Sequence, residues 1–356
     1  KSFRNAYDYF DASGSITFRA SRHINFQFGH GDHFIGQGQR SLLLSDFGPN
    51  YLFLRAKAQV GILDYQTIFA EFTGPEFDET PYDKKYGAIH HLSLDILPNL
   101  QVGFFEGVIF HDRRNNGRSF ELNYLNPVIF YRSVDHFMGS PDNLLIGMDA
   151  DYIPFKGVQF YGQAIIDEFK IDEIRNNRGW WGNKYGWQLG SRYIDAFGIN
   201  QLDLQFEYNE SRPYLYSQKA VDNYTHYNQP LAHPLGANFR EGLVKLRYQP
   251  FKRWQGEVLV AAARYGADTN ESNWGTNPRL SYNEREQDYG NEIGQGVSAL
   301  LKWAQAKISF EPWPNLFIQA KARYRQVESD VRSVSRKNLY LGGGIHFNFH
   351  HKDEVF

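Results

Sequence analysis

Residues 200–211 read NQLDLQFEYNES. Side chains of an extended strand alternate between two faces. Leu202, Leu204, Phe206 and Tyr208 therefore share one face, and Asp203, Gln205, Glu207 and Asn209 the other. Three more stretches repeat the pattern. In 51–60, Leu52, Leu54, Ala56, Ala58 and Val60 alternate with Arg55, Lys57 and Gln59. In 157–169, Val158, Phe160, Gly162, Ala164 and Ile166 alternate with Gln159, Tyr161, Gln163 and Asp167. In 315–328, Leu316, Ile318, Ala320, Ala322 and Tyr324 alternate with Gln319, Lys321, Arg323 and Arg325. A sandwich strand also alternates, but it is usually only about five or six residues long. Runs of about ten residues or more instead match what a strand needs to cross a bilayer at the usual tilt.

Working outward, fourteen runs of this kind can be marked: 23–30, 51–60, 62–72, 86–97, 99–111, 143–153, 157–169, 183–195, 200–211, 238–249, 254–266, 295–311, 315–328 and 336–349. Their connections alternate long and short along the whole chain. The short ones are rich in Pro and Gly, as tight turns require. This sorting predicts an all-β fold: a transmembrane up-and-down antiparallel β-barrel of about fourteen strands in a Gram-negative outer membrane. Short turns would face the periplasm and long loops the exterior. Ser15–Ala20 would add a strand, and counts of sixteen or eighteen fit as well. The expected organisation is a short periplasmic segment at 1–22, a barrel over 23–349 and a periplasmic tail at 350–356. The last run places Leu339, Leu341, Gly343, Ile345, Phe347 and Phe349 on one face, like the terminal signal of barrel proteins.

Composition agrees. Aromatic residues make up 17% of the 356, while mean hydropathy is polar at −0.56. Aromatics without many aliphatics favour strands over helices and argue against disorder. The formal charge of −2 gives no bulk attraction to nucleic acid. With no cysteine, disulfides, thiolate zinc sites and cysteine nucleophiles are excluded. No apolar run reaches the length of a membrane helix. The chain begins at Lys1 without Met, so it reads as mature or trimmed.

The polar face of the strands is expected to line the lumen. It carries Arg55, Lys57, Asp203, Glu207, Lys245, Arg247, Glu257, Lys321, Arg323 and Arg325. Mixed signs suit paired charges in water or against an infolded loop better than an ion-selective pore. Two long connections are unsuited to free solvent. Residues 112–142 contain the apolar ELNYLNPVIFYRS, and residues 212–237 contain three prolines. Both are expected to fold partly into the barrel mouth. Aromatics in the outer loops, Trp180, Trp181, Tyr214, Tyr216, Tyr224, Tyr227 and Trp274 together with His226, are the candidate ligand-binding residues. Sugar rings stack on such side chains, although barrels also carry aromatics at the membrane edge.

Signs of catalysis are weak. His30, Asp32 and His33 could ligate a metal, but no second ligand cluster accompanies them. His90 and His91 point to opposite faces. No nucleophile motif is recognisable, and Asp167 and Glu168 alternate across the wall. GQGQR at 36–40 lacks the strand–helix setting of a phosphate loop. The expectation is a non-enzymatic protein with no metal and no cofactor.

Four stretches carry a resemblance. HINFQFGHGDHFIGQGQRSLLLSDFGPN (23–50) resembles the first strand and loop of the Wzi-type capsule assembly family. YLNPVIFYRS (124–133), WWGNKYGWQLG (180–190) and YTHYNQPLAHPLGANF (224–239) resemble its Bacteroidota versions, which include barrels linked to gliding motility. The resemblance implies an outer-membrane barrel with an occluded lumen, acting as a lectin for capsular polysaccharide. Enterobacterial members carry an N-terminal helical bundle and more strands. Two roles are favoured: binding or anchoring surface polysaccharide, or serving as a structural accessory subunit of a secretion, motility or barrel-insertion machine. A solute channel comes third. Partners would be outer-membrane lipid with surface polysaccharide or other outer-membrane and periplasmic proteins, and not nucleic acid.

Overall fold

The computed structural model describes residues 2–3, 6–7, 12–74, 84–111, 126, 129, 142–219, 222–269 and 272–347. Fifteen strands form one antiparallel sheet in which each pairs with its neighbours in sequence. They are β1 (Gly14–Arg19), β2 (Ile24–Gly31), β3 (Tyr51–Val60), β4 (Leu63–Thr73), β5 (Lys84–Leu97), β6 (Leu100–His111), β7 (Asn143–Phe155) and β8 (Val158–Ile166). The sheet continues through β9 (Tyr185–Tyr193), β10 (Leu202–Ser211), β11 (Phe239–Phe251), β12 (Trp254–Ala267), β13 (Val297–Trp313), β14 (Leu316–Ser329) and β15 (Arg336–Phe347). All fourteen expected strands are present, and residues near Ser15–Ala20 supply the fifteenth.

That strand changes the expected layout. Gly14 pairs with His30, at the end of β2 from which a long connection departs. Residues 14–19 thus belong to the sheet rather than to a periplasmic segment, and the chain enters β1 from the long-loop end. The connection 112–142, expected in the barrel mouth, lies outside the described residues apart from three positions. So does the tail at 350–356, together with the last two residues of the expected final strand.

Alternation decides which way each side chain points. On β11 the burial pattern runs buried, exposed, buried, exposed from Phe239 to Val244. The outward set along neighbouring strands is apolar and exposed: Phe160, Leu189, Phe206, Val244, Val258, Val260, Ile308 and Ile318. Such a band in water would be an aggregation surface. In lipid it is the required solvent face, and an up-and-down sheet keeps its peptide groups paired there. Among the described residues no helix is long and apolar enough to cross a membrane.

The inward set surrounds a core made mostly by loops. Ile35, Leu42, Leu43 and Leu44 from the connection 32–50 pack with Leu215, Tyr216, Tyr224 and Leu231 from the connection 212–238. Strand residues Phe53, Ile68, Ile89, Phe105, Leu145 and Ile165 close around them. One loop touching the inner face of β3 and of β8 requires the sheet to curl about it. The outward band gives a direct test. Val258→Arg, midway between Trp254 and Ala262 on the outward face of β12, is expected to cost about 2–4 kcal/mol for unfolding from a bilayer. Denaturant titration of the reconstituted protein measures it, and a change below about 0.5 kcal/mol would place Val258 in water.

Candidate functional site

The loop 32–50 is a plug, and its construction explains why it stays inside. An infolded loop brings peptide groups that must find partners. Gly36 sits at φ 125°, a conformation open to glycine, and turns the loop back on itself. Ile35 N then donates to Leu44 O at 3.0 Å. The Gln163 side chain accepts from Leu42 N at 2.8 Å and donates to Ile35 O at 3.0 Å, so one amide holds both limbs. Glu207 accepts from Gln39 N at 2.6 Å and Arg40 N at 3.1 Å. Gln188 donates to Arg40 O at 2.9 Å. A Cβ on Gly38 would stand 2.7 Å from the Glu207 carboxylate, so only glycine allows this approach.

The second loop completes the plug. Tyr216 Oη donates to Leu42 O at 2.7 Å, and Tyr224 Oη donates to Leu43 O at 2.9 Å. Ser45 N donates to Leu231 O at 2.8 Å. Arg40, almost wholly buried, lies 3.4 Å from Glu241, which also meets His233 at 2.9 Å. His226 binds two elements: Nδ1 accepts from Thr73 N at 3.0 Å while Nε2 reaches Asn50 O at 3.2 Å. Both ring nitrogens are committed to the neutral tautomer, and burial holds the ring down at about 4. His33, against Tyr51 and Phe53, is lowered by burial and by Arg55 to the same region.

The expected occlusion by 212–237 is therefore observed, while the plug at 32–50 was not anticipated. Its signal was the run SLLLS at 41–45, too apolar for an exposed loop. His30 and His33 go to separate contacts, His30 to Ala12 O at 2.9 Å and His33 to Tyr51 at 3.1 Å. No group of three metal-type ligands occurs among the described residues.

The lumenal charges are largely paired. Arg247 meets Asp203 at 2.6 Å, Lys57 meets Asp64 at 2.8 Å, and Glu257 receives Lys245 at 3.3 Å and Lys307 at 3.6 Å. Arg323 donates to Gln305 at 3.3 Å. Lys321, Arg325 and Arg55 are half-buried on the same inner face. Below the plug, toward the short turns, a cavity of about 280 Å³ is lined by Gln39, Gln159, Arg192, Asp203, Lys245 and Arg247, among others.

The candidate outer aromatics divide into two groups. Tyr214, Tyr216, Tyr224 and His226 are buried within the loop core, with the three tyrosine hydroxyls spent on backbone carbonyls. In this arrangement they support the plug and present no face to a sugar. Trp274 is half-buried, packed where Gly296 leaves room for its ring. Tyr227 is 48% exposed beside His226. Trp180 and Trp181 are half-buried in a cap where three connections meet. Their ring centroids are 5.8 Å apart, and Tyr282 lies 4.7 Å from Trp181. Arg285 stands 4.3 Å over Trp181, Lys170 4.6 Å over Trp180, and Arg178 4.6 Å over the exposed Tyr289. Tyr289 and these cations were not singled out in the sequence, because they converge from segments about a hundred residues apart. Beneath them, fully buried Lys184 bonds Glu168 at 3.0 Å, beside Asp167 at 3.7 Å.

No family model and no curated protein sequence matches this chain. Solved structures do. Wzi of Escherichia coli, an outer-membrane protein described as a carbohydrate-binding β-barrel involved in group 1 capsule assembly, superposes with a TM-score of 0.65 at 16% identity. The match covers 95% of this chain and 70% of that one. OprD of Pseudomonas aeruginosa gives 0.51 at 12% identity over 95% and 78%. OccD3 of Pseudomonas aeruginosa gives 0.50 at 11% over 94% and 77%. The chain has the fold of an outer-membrane β-barrel.

Two outcomes follow from the plug. Glu241→Leu leaves Arg40 buried without its carboxylate and is expected to cost about 3–5 kcal/mol. Adding Arg40→Met to Glu241→Leu should recover most of that loss in the same denaturant series. The histidines set a pH window. Their folded values lie below the unfolded value of 6.5, so below it the unfolded chain binds more protons. Plug stability should be full above 6.5, fall as pH drops toward 4, and level off below. Proteolysis of the 32–50 loop across that range reads it out, and a flat profile would mean that neither ring guards the plug.

Proposed function

We propose that this protein binds or anchors surface polysaccharide at the outer membrane, without catalysis. The occluded lumen carries the reading. A channel needs continuous water, whereas here two loops fill the mouth and satisfy their peptide groups on the barrel wall. A carbohydrate-binding barrel is also among the structures it resembles, although that likeness speaks for the fold alone. Contact would fall on the outer cap. Trp180, Trp181, Tyr227 and Tyr289 supply ring surface, while Lys170 and the pairs Arg178–Glu173 and Arg285–Asp288 supply polar groups that can order sugar hydroxyls. The four stretches resembling the capsule assembly family support the same reading and its Bacteroidota branch.

A second reading, an accessory subunit of an outer-membrane machine, has one observation in its favour. Phe169, Ile171 and Ile174, in and beside the short helix α1 (Ile171–Arg175), are exposed in the outer cap. Gentle purification from native membrane separates the two. Stoichiometric co-purifying protein would favour the subunit role. For polysaccharide binding, the lone barrel should be retained on host capsule, and Trp180→Ala with Tyr289→Ala should weaken retention by about tenfold. Wild-type protein should stay closed in a planar bilayer. Stable open conductance, with no glycan retained, would move the assignment to a channel.

A further inference from the structure

Outside the lumen, the wall of β10–β14 carries a charged site at its long-loop end. Backbone register aligns Glu210, Arg240, Arg264, Leu300 and Glu328 in one outward row across five strands. Two guanidiniums thus stand directly opposite each other on β11 and β12. Like charges in that relation destabilise a strand pair unless something compensates them. Glu210 takes Arg240 at 2.9 Å, and Glu328 takes Lys302 at 2.7 Å. Among the described residues no carboxylate pairs with Arg264. Three cations and two carboxylates leave this patch at +1, with the surplus at its centre.

The next row down reads Tyr208, Gly242, Ala262, Lys302 and Gln326. Its middle is hollow. Gly242 and Ala262 are small, and a Cβ on Gly242 would meet nothing within 4 Å. Below again come Phe206, Val244, Val260, Ala304 and Tyr324, the apolar band. Trp187 and Tyr208, 5.1 Å apart, and Tyr324 are aromatics of the kind found at the membrane interface. The hollow therefore sits where lipid headgroups lie, with Arg240 and Arg264 above it and Lys302 to one side.

We propose that this recess binds the phosphate of an outer-leaflet lipid, a phosphorylated glycolipid whose acyl chains lie along Val244 and Val260. A phosphate suits it because guanidiniums bind its oxygens through paired, charge-assisted hydrogen bonds. It would also relieve the Arg240–Arg264 repulsion.

The test compares lipid retained by wild-type protein, the Arg240→Ala/Arg264→Ala double variant and Lys84→Ala. Lys84 lies at the same end of the wall on β5 but is paired with Glu71 at 2.7 Å. Each is reconstituted in vesicles containing bisphosphorylated lipid A, extracted in mild detergent and analysed by native mass spectrometry. Folding is checked by the heat-dependent shift of barrel mobility on gels. The double variant should lose about tenfold in retained lipid A, and Lys84→Ala should lose little. Dephosphorylated lipid A should compete poorly, and millimolar inorganic phosphate should not displace the bound lipid. Equal retention by the folded double variant, or equal competition by dephosphorylated lipid, would overturn the proposal. So would displacement by phosphate alone. Should the double variant not fold, Arg264→Gln alone gives the same comparison.

Discussion

Everything inside this barrel answers to one constraint: a loop buried in the lumen, away from water, must have its peptide groups hydrogen-bonded there. Gln163, Gln188 and Glu207 do this from three adjacent strands, and Tyr216 and Tyr224 do it from a second loop. The apolar side chains of Leu42, Leu43 and Leu44 then bury without leaving unsatisfied carbonyls behind them. Removing either half would fail. Leucines alone would drag bare amides into the core, and the polar clasps alone would hold a loop with no reason to leave water.

This accounts for how much of the molecule was legible in advance. The strands were, because a period of two is local: Asp203 to Asn209 declare their faces without any knowledge of their neighbours. The lipid-facing band followed from the same signal. The plug did not, because Ser41–Ser45 is short and its partners lie more than a hundred residues away in sequence. Inward Gln163 and Gln188 look the same whether they meet water or a backbone. The tyrosines were harder still. Tyr216 and Tyr224 have the chemistry of a sugar platform, and only the three-dimensional packing turns them inward. The exposed cap survives as a candidate surface for a related reason. Lys170, Arg178 and Arg285 gather around Trp180, Trp181 and Tyr289 from connections that no sequence spacing relates.

The two faces of the wall show opposite uses of charge. Inside, Glu257 holds two lysines and Asp203 holds Arg247, so the lumen is close to internally balanced. Outside, on β11 and β12, Arg240 and Arg264 are set side by side at the edge of the apolar band. Charge is matched mostly within the chain where water or a plug is the neighbour, and less so at the edge of the lipid-facing band.

The plug also bears on how the chain reaches its fold. Its segment lies before most of the strands, yet its anchors at Gln163, Gln188, Glu207 and Glu241 come 121 to 201 residues later for the hydrogen bonds concerned. Contacts of such long sequence separation slow folding, since the intervening chain must be ordered first. A sheet that curled shut early would have no room to admit Leu42–Leu44. The loop must already lie against β3 when β8 to β11 arrive. The barrel is in this sense wrapped around its contents, and the order of assembly is written into which end of the chain supplies the filling.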